Sequence, residues 1–403
     1  MVAMVWGWVA LALASVVLAE VVRDFYHVAG HTWEPIRQWH YMHHKAFRRD
    51  LTLVSFEAFS KAQLYNDVPE ALVMASVVAL VAIAAGLTYG WTVTGPLWLG
   101  VLYSLSFMGT AIARSQNKMM WTDLTHEPGP LTDNPSHWFV NRTYHWRHHF
   151  DDGNAYYCGT LTAVDKLLGT ALSLKGKTIA ITGASGTLGQ ALIRNLKAAG
   201  AKPIALTTSN RASFNDKTDD EIPVWQWQPG RERELQEKLA KVDILIINHG
   251  INEMGLRSPE AIQKAYEVNT FSAWRLMETF LETVTQSKHR ALKEVWINTS
   301  EAEVQPAFSP LYEISKRAIG DLITLRRLDA PCVIRKLVLG PFKSNLNPIG
   351  IMDANTVAKG IIALAKRDFR DIIVTINPLT YLTFPIKEIS KSLYFRLFSN
   401  PNP

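Results

Sequence analysis

Three long apolar runs, almost free of charge, lie in the N-terminal part of the chain. They cover residues 1–22, 71–88 and 96–113. A helix of about 20 apolar residues crosses a hydrocarbon core about 30 Å thick, and each run approaches that length. The pattern therefore predicts three membrane-spanning helices, with burial in a large soluble core as the alternative.

Basic residues are distributed unevenly around these runs. Those that follow the first run include Arg23, Lys45, Arg48, Arg49 and Lys61, and those that follow the third include Arg114 and Lys118. The stretch between the second and third runs carries no charge. By the positive-inside rule, this asymmetry predicts an integral, multi-pass membrane protein whose basic segments face the cytoplasm. The first run lacks the basic start of a secretory signal peptide, which favours a membrane anchor.

The pattern changes after residue 174, where short apolar runs typical of β-strands alternate with amphipathic helices. The predicted strands cover residues 178–182, 203–206, 224–227, 243–248, 294–298, 333–339 and 372–375. The predicted helices between them cover residues 187–199, 231–241, 259–284, 311–327 and 355–366. This alternation predicts an α/β Rossmann domain with a doubly wound parallel sheet.

The hydrophobic pattern thus divides the chain into three parts. Residues 1–174 are predicted to form an all-α integral membrane domain, and residues 175–377 a nucleotide-binding domain. Residues 378–403 form a tail in which apolar and basic residues alternate. Such a tail is predicted either to lie on the membrane as an amphipathic segment or to dock onto the soluble domain.

Composition narrows the classes of function. The 403 residues carry a formal net charge of +6 and two cysteines, Cys158 and Cys332. Two cysteines give no disulfide framework, which fits a reducing cytoplasm. The modest positive charge suits an anionic membrane surface, and no interleaving of basic and aromatic residues points to nucleic acid as a partner.

Eight histidines at metal-ligand spacing lie in the first 149 residues of the chain. They form three boxes, His27-x-x-x-His31, His40-x-x-His43-His44 and His145-x-x-His148-His149. Spacings of three and four residues place both rings of a pair on one face of a helix. Because about four ligands close one zinc site, eight histidines predict two metal ions. A lone histidine is usually a satisfied core or surface residue, but three such boxes are not explained in that way.

A glycine-rich turn follows the first predicted strand and opens a helix. It reads Thr182-Gly183-Ala184-Ser185-Gly186-Thr187-Leu188-Gly189. Glycines permit a tight turn and close backbone approach, and free N–H groups at the helix N-terminus bind a pyrophosphate. The segment Gly183 to Gly189, including Ser185, Gly186, Thr187 and Leu188, is therefore the predicted cradle of a dinucleotide.

The end of the second strand bears on the choice of dinucleotide. An NAD enzyme usually has an acidic residue there to hold the ribose hydroxyls. Here the chain reads Thr207-Thr208-Ser209-Asn210-Arg211, with no acid. Arg211, together with hydroxyls such as that of Ser209, is suited to receive a 2′-phosphate, so NADP(H) is favoured over NAD(H).

Tyr312 and Lys316, with Ser300 upstream, form the candidate catalytic group of the second half. A spacing of four residues places the phenol and the ammonium on one helix face. A nearby cation favours the phenolate and lowers the pKa of tyrosine towards the working pH of a general acid or base. Ser300 is positioned to donate a hydrogen bond to the substrate oxygen.

Residues 177–376 resemble the short-chain dehydrogenase/reductase family. In addition to the glycine turn and the Tyr-Lys pair, Asn248-His249-Gly250 resembles the end of the family's Asn-Asn-Ala-Gly strand. The resemblance implies a tetrad of Ser300, Tyr312, Lys316 and Asn269, with Asn248, Gly250, Tyr312 and Lys316 also contacting the cofactor. Two departures from the family pattern stand out, since His249 replaces an alanine and Gly340-Pro341 inverts the usual order.

Residues 1–170 resemble the fatty acid hydroxylase/sterol desaturase superfamily of membrane di-iron enzymes. The resemblance implies two iron ions, with zinc as the alternative metal, that activate O2 to attack an unactivated C–H bond. It also implies a lipid or sterol-like substrate and an external single-electron donor such as ferredoxin or a cytochrome. Family members carry a further histidine before the last box, and His126 fits that place; His137 does not.

The whole chain resembles bacterial fusions of a sterol desaturase with a short-chain dehydrogenase. The leading prediction is a bifunctional oxidoreductase that hydroxylates or desaturates a lipid and passes hydride between NADP(H) and a carbonyl or alcohol. One alternative is that the second half binds NADP without catalysis and regulates the oxidase. Another is that the first half holds zinc and performs no oxidation.

Overall fold

The structure, a computed structural model, describes residues 2–208 and 222–400. The chain divides into two compact units, Met1–Ala171 and Leu172–Pro403. The first unit is helical, and the second unit contains all seven strands of the sheet found in the described residues.

Eight α-helices form the first unit. They are α1 (Val2–Thr32), α2 (Glu34–Lys45), α3 (Phe56–Ala62), α4 (Val68–Tyr89), α5 (Trp91–Thr94), α6 (Trp98–Ser115), α7 (Arg142–Phe150) and α8 (Ala163–Leu168). A π-helical turn, Gln63–Asp67, joins α3 to α4 without a break. Three helical stretches have the length and apolar composition that a membrane span requires: Met4–Thr32, Phe56–Tyr89 and Trp91–Ser115.

These three stretches pack together through small residues and leave large apolar side chains outside. Gly100 of α6 donates its backbone N–H to the Ser15 hydroxyl at 3.0 Å, because it has no side chain to separate the helices. Leu80, Leu87 and Leu102 are exposed. The three predicted apolar runs therefore form helices, and their insertion into a membrane stays a prediction.

Seven parallel strands form the sheet of the second unit. They are β1 (Thr178–Thr182), β2 (Lys202–Thr207), β3 (Val224–Gln226), β4 (Ile244–Ile247), β5 (Glu294–Asn298), β6 (Val333–Leu339) and β7 (Asp371–Val374). Their order across the sheet is β3-β2-β1-β4-β5-β6-β7. The reversal of order between β1 and β4 is the switch point at which doubly wound sheets bind ligands. The predicted Rossmann-like parallel sheet is confirmed.

Helices cover both faces of this sheet. They are α9 (Thr187–Ala198), α10 (Gln236–Leu239), α11 (Pro259–Tyr266), α12 (Ala273–Leu281), α13 (Ser287–Leu292), α14 (Pro310–Arg326), α15 (Ala354–Lys366) and α16 (Pro378–Phe398). Side chains alternate along the strands, so Ile179 and Ile181 enter one core while Ala180 enters the other.

Two helix predictions in this unit need correction. The predicted helix 231–241 is a 3-10 turn, Glu232–Leu235, followed by the four-residue helix α10. The predicted helix 259–284 is divided by a second π-helical turn, Glu267–Ser272, between α11 and α12. Helix α13 was not predicted. The tail was predicted either to lie on the membrane or to dock onto the soluble domain. In the structure it forms helix α16, which packs against α14.

Candidate functional sites

The structure gathers nine histidines of the first unit into two neighbouring clusters. The first cluster contains His27, His31, His40, His44 and His148, and the second contains His43, His126, His145 and His149. Within each cluster the potential ligand atoms all lie within 4.8 Å of one another. The rings of His44 and His149 are 4.6 Å apart and join the two clusters. Every histidine of the predicted set, including His126, therefore lies in one of them.

His148 is at the centre of the first cluster. Its Nε2 atom lies 2.9 Å from Nε2 of His27, 3.1 Å from that of His31 and 3.0 Å from that of His44. Its Nδ1 atom lies 2.7 Å from the Ala155 carbonyl oxygen, to which it donates a hydrogen bond. In a neutral ring the proton is then on Nδ1, and Nε2 presents a lone pair to the other histidines.

The same arrangement recurs around both clusters. His27 donates from Nδ1 to the Tyr157 carbonyl oxygen at 2.6 Å, and His40 donates to the Asn66 side-chain oxygen at 3.0 Å. In the second cluster, Nδ1 of His126 lies 2.7 Å from Oδ1 of Asp123. Partners of this kind fix the orientation of metal-bound histidines and set which nitrogen is free to bind.

Several histidines of the clusters lie outside the apolar helices, and burial keeps the imidazole rings of at least four of them neutral. Desolvation, followed by the neighbouring rings, lowers the pKa of His43, His145, His148 and His149 well below its usual range. A neutral imidazole is the form that binds metals. Several inward lone pairs without protons repel one another unless a cation lies between them, so the donor set fits metal ions.

Asp165 of α8 supports the first cluster by holding the loop after α7. Its buried carboxylate accepts hydrogen bonds from the Tyr144 hydroxyl at 2.8 Å and from the backbone N–H groups of Tyr157 and Cys158 at 3.0 and 2.8 Å. These bonds hold the Tyr157 carbonyl against His27. His137 is outside both clusters, with Nδ1 3.2 Å from the Lys166 ammonium.

The glycine turn of the second unit brings backbone segments close together at the N-terminus of α9. Gly183 has a φ of +61° and approaches the backbone of His249, so a side chain there would be strained and crowded. A Cβ at Gly189 would collide with the backbone of Gly183 and Ala184. Gly186 provides no side-chain cap to α9, so the first N–H groups of that helix remain available to an anion.

The predicted turn residues surround this helix terminus. Ser185 and Thr187 are exposed, and Leu188 is buried in the core beneath the turn. The segment that motivated the preference for NADP(H), with Ser209 and Arg211, lies outside the described residues.

The carboxyl end of β4 lies beside the turn. The Asn248 backbone N–H donates to the Thr182 hydroxyl at 2.9 Å, and its side-chain oxygen accepts from Asn298 at 3.0 Å. His249 lies 2.8 Å from the same hydroxyl through Nδ1, and burial with the Lys316 charge lowers its pKa to about 3. Its ring packs 4.8 Å from that of Trp227. The sequence pattern indicates that His249 is unusual but does not indicate these partners.

Two of the four predicted catalytic side chains, those of Asn269 and Lys316, lie beside Gly250. A Cβ there would lie 3.1 Å from Oδ1 of Asn269 and 3.6 Å from the Lys316 ammonium. Lys316 donates to the Asn298 carbonyl oxygen at 2.9 Å, and its ammonium lies 5.9 Å from the centre of the Tyr312 ring. Ser300, which follows β5, lies close enough to the Tyr312 phenol to act on its pKa.

Two pKa shifts distinguish this group. Burial lowers the pKa of Lys316 to about 8, although the Glu303 carboxylate opposes that shift. Burial raises the pKa of Tyr312, and only the Ser300 hydrogen bond acts in the other direction. The prediction that Lys316 lowers the tyrosine pKa is therefore not met in the protein alone, since desolvation dominates.

A π-helical turn lies beside each candidate site and carries an asparagine. Asn66, which orients His40, lies in the turn before α4, and Asn269 lies in the turn before α12. Asn269 donates to the Ile251 carbonyl oxygen and the Ser315 hydroxyl, both at 3.0 Å. Such turns often mark functional sites, because the widened helix points a side chain out of its regular position. No feature of the local sequence indicates them.

Comparison with known proteins gave matches for both units. The NAD dependent epimerase/dehydratase family model matches residues 179–309. The monoglucosyldiacylglycerol epimerase of Synechocystis sp. (strain ATCC 27184 / PCC 6803 / Kazusa) is 56% identical over 397 residues, covering 96% of this chain and 97% of the relative. Neither the name of the family nor that of the relative mentions a hydroxylase or a desaturase. The hydroxylase or desaturase activity expected of the first unit therefore stays a prediction.

Solved structures resemble the second unit more distantly. An alcohol dehydrogenase from the archaeon Thermococcus sibiricus, complexed with 5-hydroxy-NADP, is 19% identical and covers 50% of this chain and 96% of its own, with a TM-score of 0.44. A short chain dehydrogenase from Burkholderia cenocepacia J2315, in complex with NADP, is 15% identical and covers 57% and 100%, with a TM-score of 0.46.

Proposed function

The chain belongs to the family of the monoglucosyldiacylglycerol epimerase, and we propose that it inverts one hydroxyl-bearing carbon of a glucosyl headgroup on a diacylglycerol lipid. The observation that carries this proposal is the 56% identity, which extends over 96% of the chain and so over both units. The substrate is then a membrane lipid, as the apolar helices of the first unit favour.

Inversion at such a carbon requires its C–H bond to break and to form again on the opposite face. When bound, an oxidised NAD(P) supplies this chemistry by accepting a hydride from the carbon and returning it to the resulting ketone. The net reaction is neither an oxidation nor a reduction. The uncapped N-terminus of α9 and the Gly183 turn are the residues that would hold its pyrophosphate.

The protein side chains move the hydroxyl proton. Tyr312 takes the proton from the sugar hydroxyl as hydride leaves and returns it when the ketone is reduced. Ser300, which interacts with that phenol, holds the substrate oxygen beside it. Lys316 is held by Asn298 and places a positive charge near the phenol, while Asn269 fixes the backbone at Ile251.

The preference for NADP(H) over NAD(H) remains a proposal. It rests on Ser209 and Arg211 and on the lack of an acid at the end of β2. A multi-pass topology with both sites facing the cytoplasm likewise rests on the charge pattern around the apolar helices.

The histidine clusters favour a second candidate function in the first unit. Nine buried or half-buried imidazoles, oriented by carbonyl and carboxylate partners, support two bound metal ions. If the ions are iron, the unit would use O2 and an external electron donor to oxidise a C–H bond of a lipid. If they are zinc, the clusters would stabilise the helices without oxidation. Metal analysis with measurement of O2 uptake separates the two.

The proposed epimerase is tested with the full-length chain in lipid nanodiscs. Monoglucosyldiacylglycerol with a radiolabelled headgroup is added with NAD+ or NADP+, and the sugars are released by hydrolysis and separated. We expect a second hexose in addition to glucose, and none with Tyr312→Phe. Binding of dinucleotide without a second hexose would instead support a regulatory domain.

His148→Ala provides the control for independence of the two units. If this variant still forms the second hexose, epimerisation does not depend on the first histidine cluster. Because His148 is in the first unit, dinucleotide binding by the second unit should be unchanged.

A further inference from the structure

Helix α16 packs against the rest of the second unit with its charged face inward. Thr380, Phe384 and Glu388, spaced four residues apart, are buried. The opposite face consists of large apolar residues that are 57–68% exposed: Leu379, Leu382, Ile386, Ile389, Leu393 and Leu397. A surface helix of a soluble protein shows the reverse arrangement, with its apolar stripe turned to the core.

Buried ion pairs fix this orientation. The Glu388 carboxylate lies 2.6 Å from the Lys336 ammonium, which is fully buried in β6, and 3.2 Å from the Arg327 guanidinium. Lys387 pairs with Asp321 of α14 at 2.9 Å and also with Glu303. Rotation of α16 to bury its apolar face would leave Lys336 without its closest partner, so the apolar face remains outward.

A second set of exposed apolar residues lies at the carboxyl edge of the sheet. We call it the apolar rim, and it comprises Met254, Leu256, Phe308, Ile349, Ile351 and Ile376. These residues lie in the loops that follow β4, β5, β6 and β7, four adjacent parallel strands. The carboxyl ends of parallel strands share one edge, which also carries Ser300 and Asn248. The rim therefore borders the candidate catalytic site.

Two rim residues are exposed to an extreme degree. Phe308 is 92% exposed and has a left-handed backbone with a φ of 54°, three residues after Gln305. Ile349 is 86% exposed. In water, the exposure of these two large apolar side chains is unfavourable.

The rim continues into the start of α16. The Gln305 side chain donates to the Thr383 hydroxyl at 3.1 Å, and the Thr380 hydroxyl donates to Glu301 at 3.1 Å. Residues 301–305 directly follow Ser300. The first turns of α16, with Leu379 and Leu382 outward, thus lie beside the loop that carries the catalytic serine.

We infer that the apolar rim and the outer face of α16 form one surface that contacts the lipid bilayer. The inference rests on the proposed function in that the substrate is a bilayer lipid. The same chain contains three helices able to span a membrane, which would keep a bilayer at high effective concentration near this unit. Exposed Arg257 and Lys343 adjoin the rim, and their charge suits anionic headgroups. A glycolipid headgroup would reach the site while its acyl chains stay in the membrane.

Spin labels test the surface directly in the full-length chain. Both native cysteines are buried, and burial raises the pKa of each thiol, so neither competes for the label. Ile389→Cys and Ile349→Cys are labelled, with Glu237→Cys, exposed on α10, as the matched control. In nanodiscs containing an anionic lipid, we expect the first two labels to collide more with O2 and less with a water-soluble nickel chelate than the control.

Two results would overturn the inference. One is equal exposure of all three labels to the nickel chelate in nanodiscs. The other is dipolar coupling between Ile389→Cys labels of two chains, in detergent and in nanodiscs alike, which would make a second copy the partner of α16.

An activity comparison separates this inference from the proposed function. Ile386→Glu/Ile389→Glu should lower epimerisation of bilayer-embedded glycolipid about tenfold or more, because two charges oppose membrane contact. Turnover of a monomeric dihexanoyl glycolipid should be unchanged. Ala240→Glu/Lys241→Glu, exposed elsewhere, should change neither rate. If the unmodified chain turns over neither lipid, the proposed function fails, and the spin labels still decide the surface. Equal loss on both lipids would contradict membrane contact.

Discussion

The Nε2 atoms of His27 and His148 lie 2.9 Å apart, although neither ring has a proton to place between them. Both Nδ1 atoms already donate to backbone carbonyl oxygens, those of Tyr157 and Ala155. Two facing lone pairs at this distance repel, and burial opposes a second proton on His148. A bound cation removes the repulsion, and this is the physical basis for metal binding by the first unit.

We expect the purified full-length chain to contain about two transition-metal ions, because about four nitrogen ligands complete one site. His148→Ala should lose the ion of the first cluster, and His145→Ala that of the second, as measured by mass spectrometry of total metal. His137→Ala, which changes a histidine outside both clusters, is the control. Loss of all metal from either cluster variant, or of none from both, would be incompatible with two independent sites.

Replacement of Lys316 should separate stability from activity. A pKa lowered from 10.5 to about 8 means that burial disfavours its charged form, by about 3 kcal/mol at 1.36 kcal/mol per pKa unit. Lys316→Met removes that cost but also the bond to Asn298, so we expect a gain of about 1–2 kcal/mol at pH 7. Epimerisation should be lost. Unfolding by urea and the sugar assay measure the two effects.

The size of this stability gain changes with pH in a defined window. Between pH 8 and 10.5 the unfolded chain binds more protons at this lysine than the folded one, so wild-type stability from this group rises with pH. The advantage of Lys316→Met should therefore shrink over that range. An advantage that stays constant from pH 7 to pH 10 would show that the lysine is not desolvated.

Loss of Glu388 should destabilise the second unit strongly. Lys336 would keep only Glu303, 3.7 Å away, as a carboxylate partner among those found in the described residues. An uncompensated buried charge costs about 3–5 kcal/mol, and replacing both charges by apolar groups recovers most of it. In urea unfolding, Glu388→Ala should therefore lower the free energy of unfolding by about 3–5 kcal/mol. The double variant Lys336→Met/Glu388→Leu should recover most of that loss. Glu234→Ala, which breaks an exposed pair with Arg231, should cost less than about 1 kcal/mol. Equal effects of the two alanine variants would contradict this account of α16.

Substitution of Gly189 should abolish dinucleotide binding and lower stability. Its Cβ would meet the Ala184 Cα at 2.7 Å, within the turn itself. Overpacking of this kind costs about 1–3 kcal/mol and displaces the N–H groups of α9. Gly230→Ala is the control, because Gly230 has a φ of +91° but no neighbour within 4 Å of the added Cβ. Fluorescence titration with NADPH should show unchanged affinity for the control and none for Gly189→Ala.

Much of the second unit could be predicted because its strands are buried on both faces. The predicted strands 178–182, 294–298 and 333–339 coincide with β1, β5 and β6. Apolar residues dominate all three, although Arg335 and Lys336 interrupt the last run. The helix predicted at 259–284 failed at Asn269, whose partners Ile251 and Ser315 are 18 and 46 residues away in the chain. Such distant bonds leave no periodic signal.

The histidine boxes indicated which rings form the clusters but not what orients them. The partners of His27 and His148 are backbone carbonyls, which any residue type provides. In α16, the pattern predicted an amphipathic segment without indicating which face turns inward. The buried charges of Lys336 and Glu303 determine that, and they lie far from α16 in the sequence.

The fate of carbon-bound hydrogen tests the central claim most directly. The full-length chain in nanodiscs is given monoglucosyldiacylglycerol whose headgroup is deuterated at every carbon, with NAD(P)+ in ordinary water. Because the same hydride leaves and returns, mass spectrometry should show an epimeric sugar that retains all its deuterium, and no such sugar with Tyr312→Phe. Loss of one deuterium to solvent, or no epimer with either dinucleotide, would contradict the account.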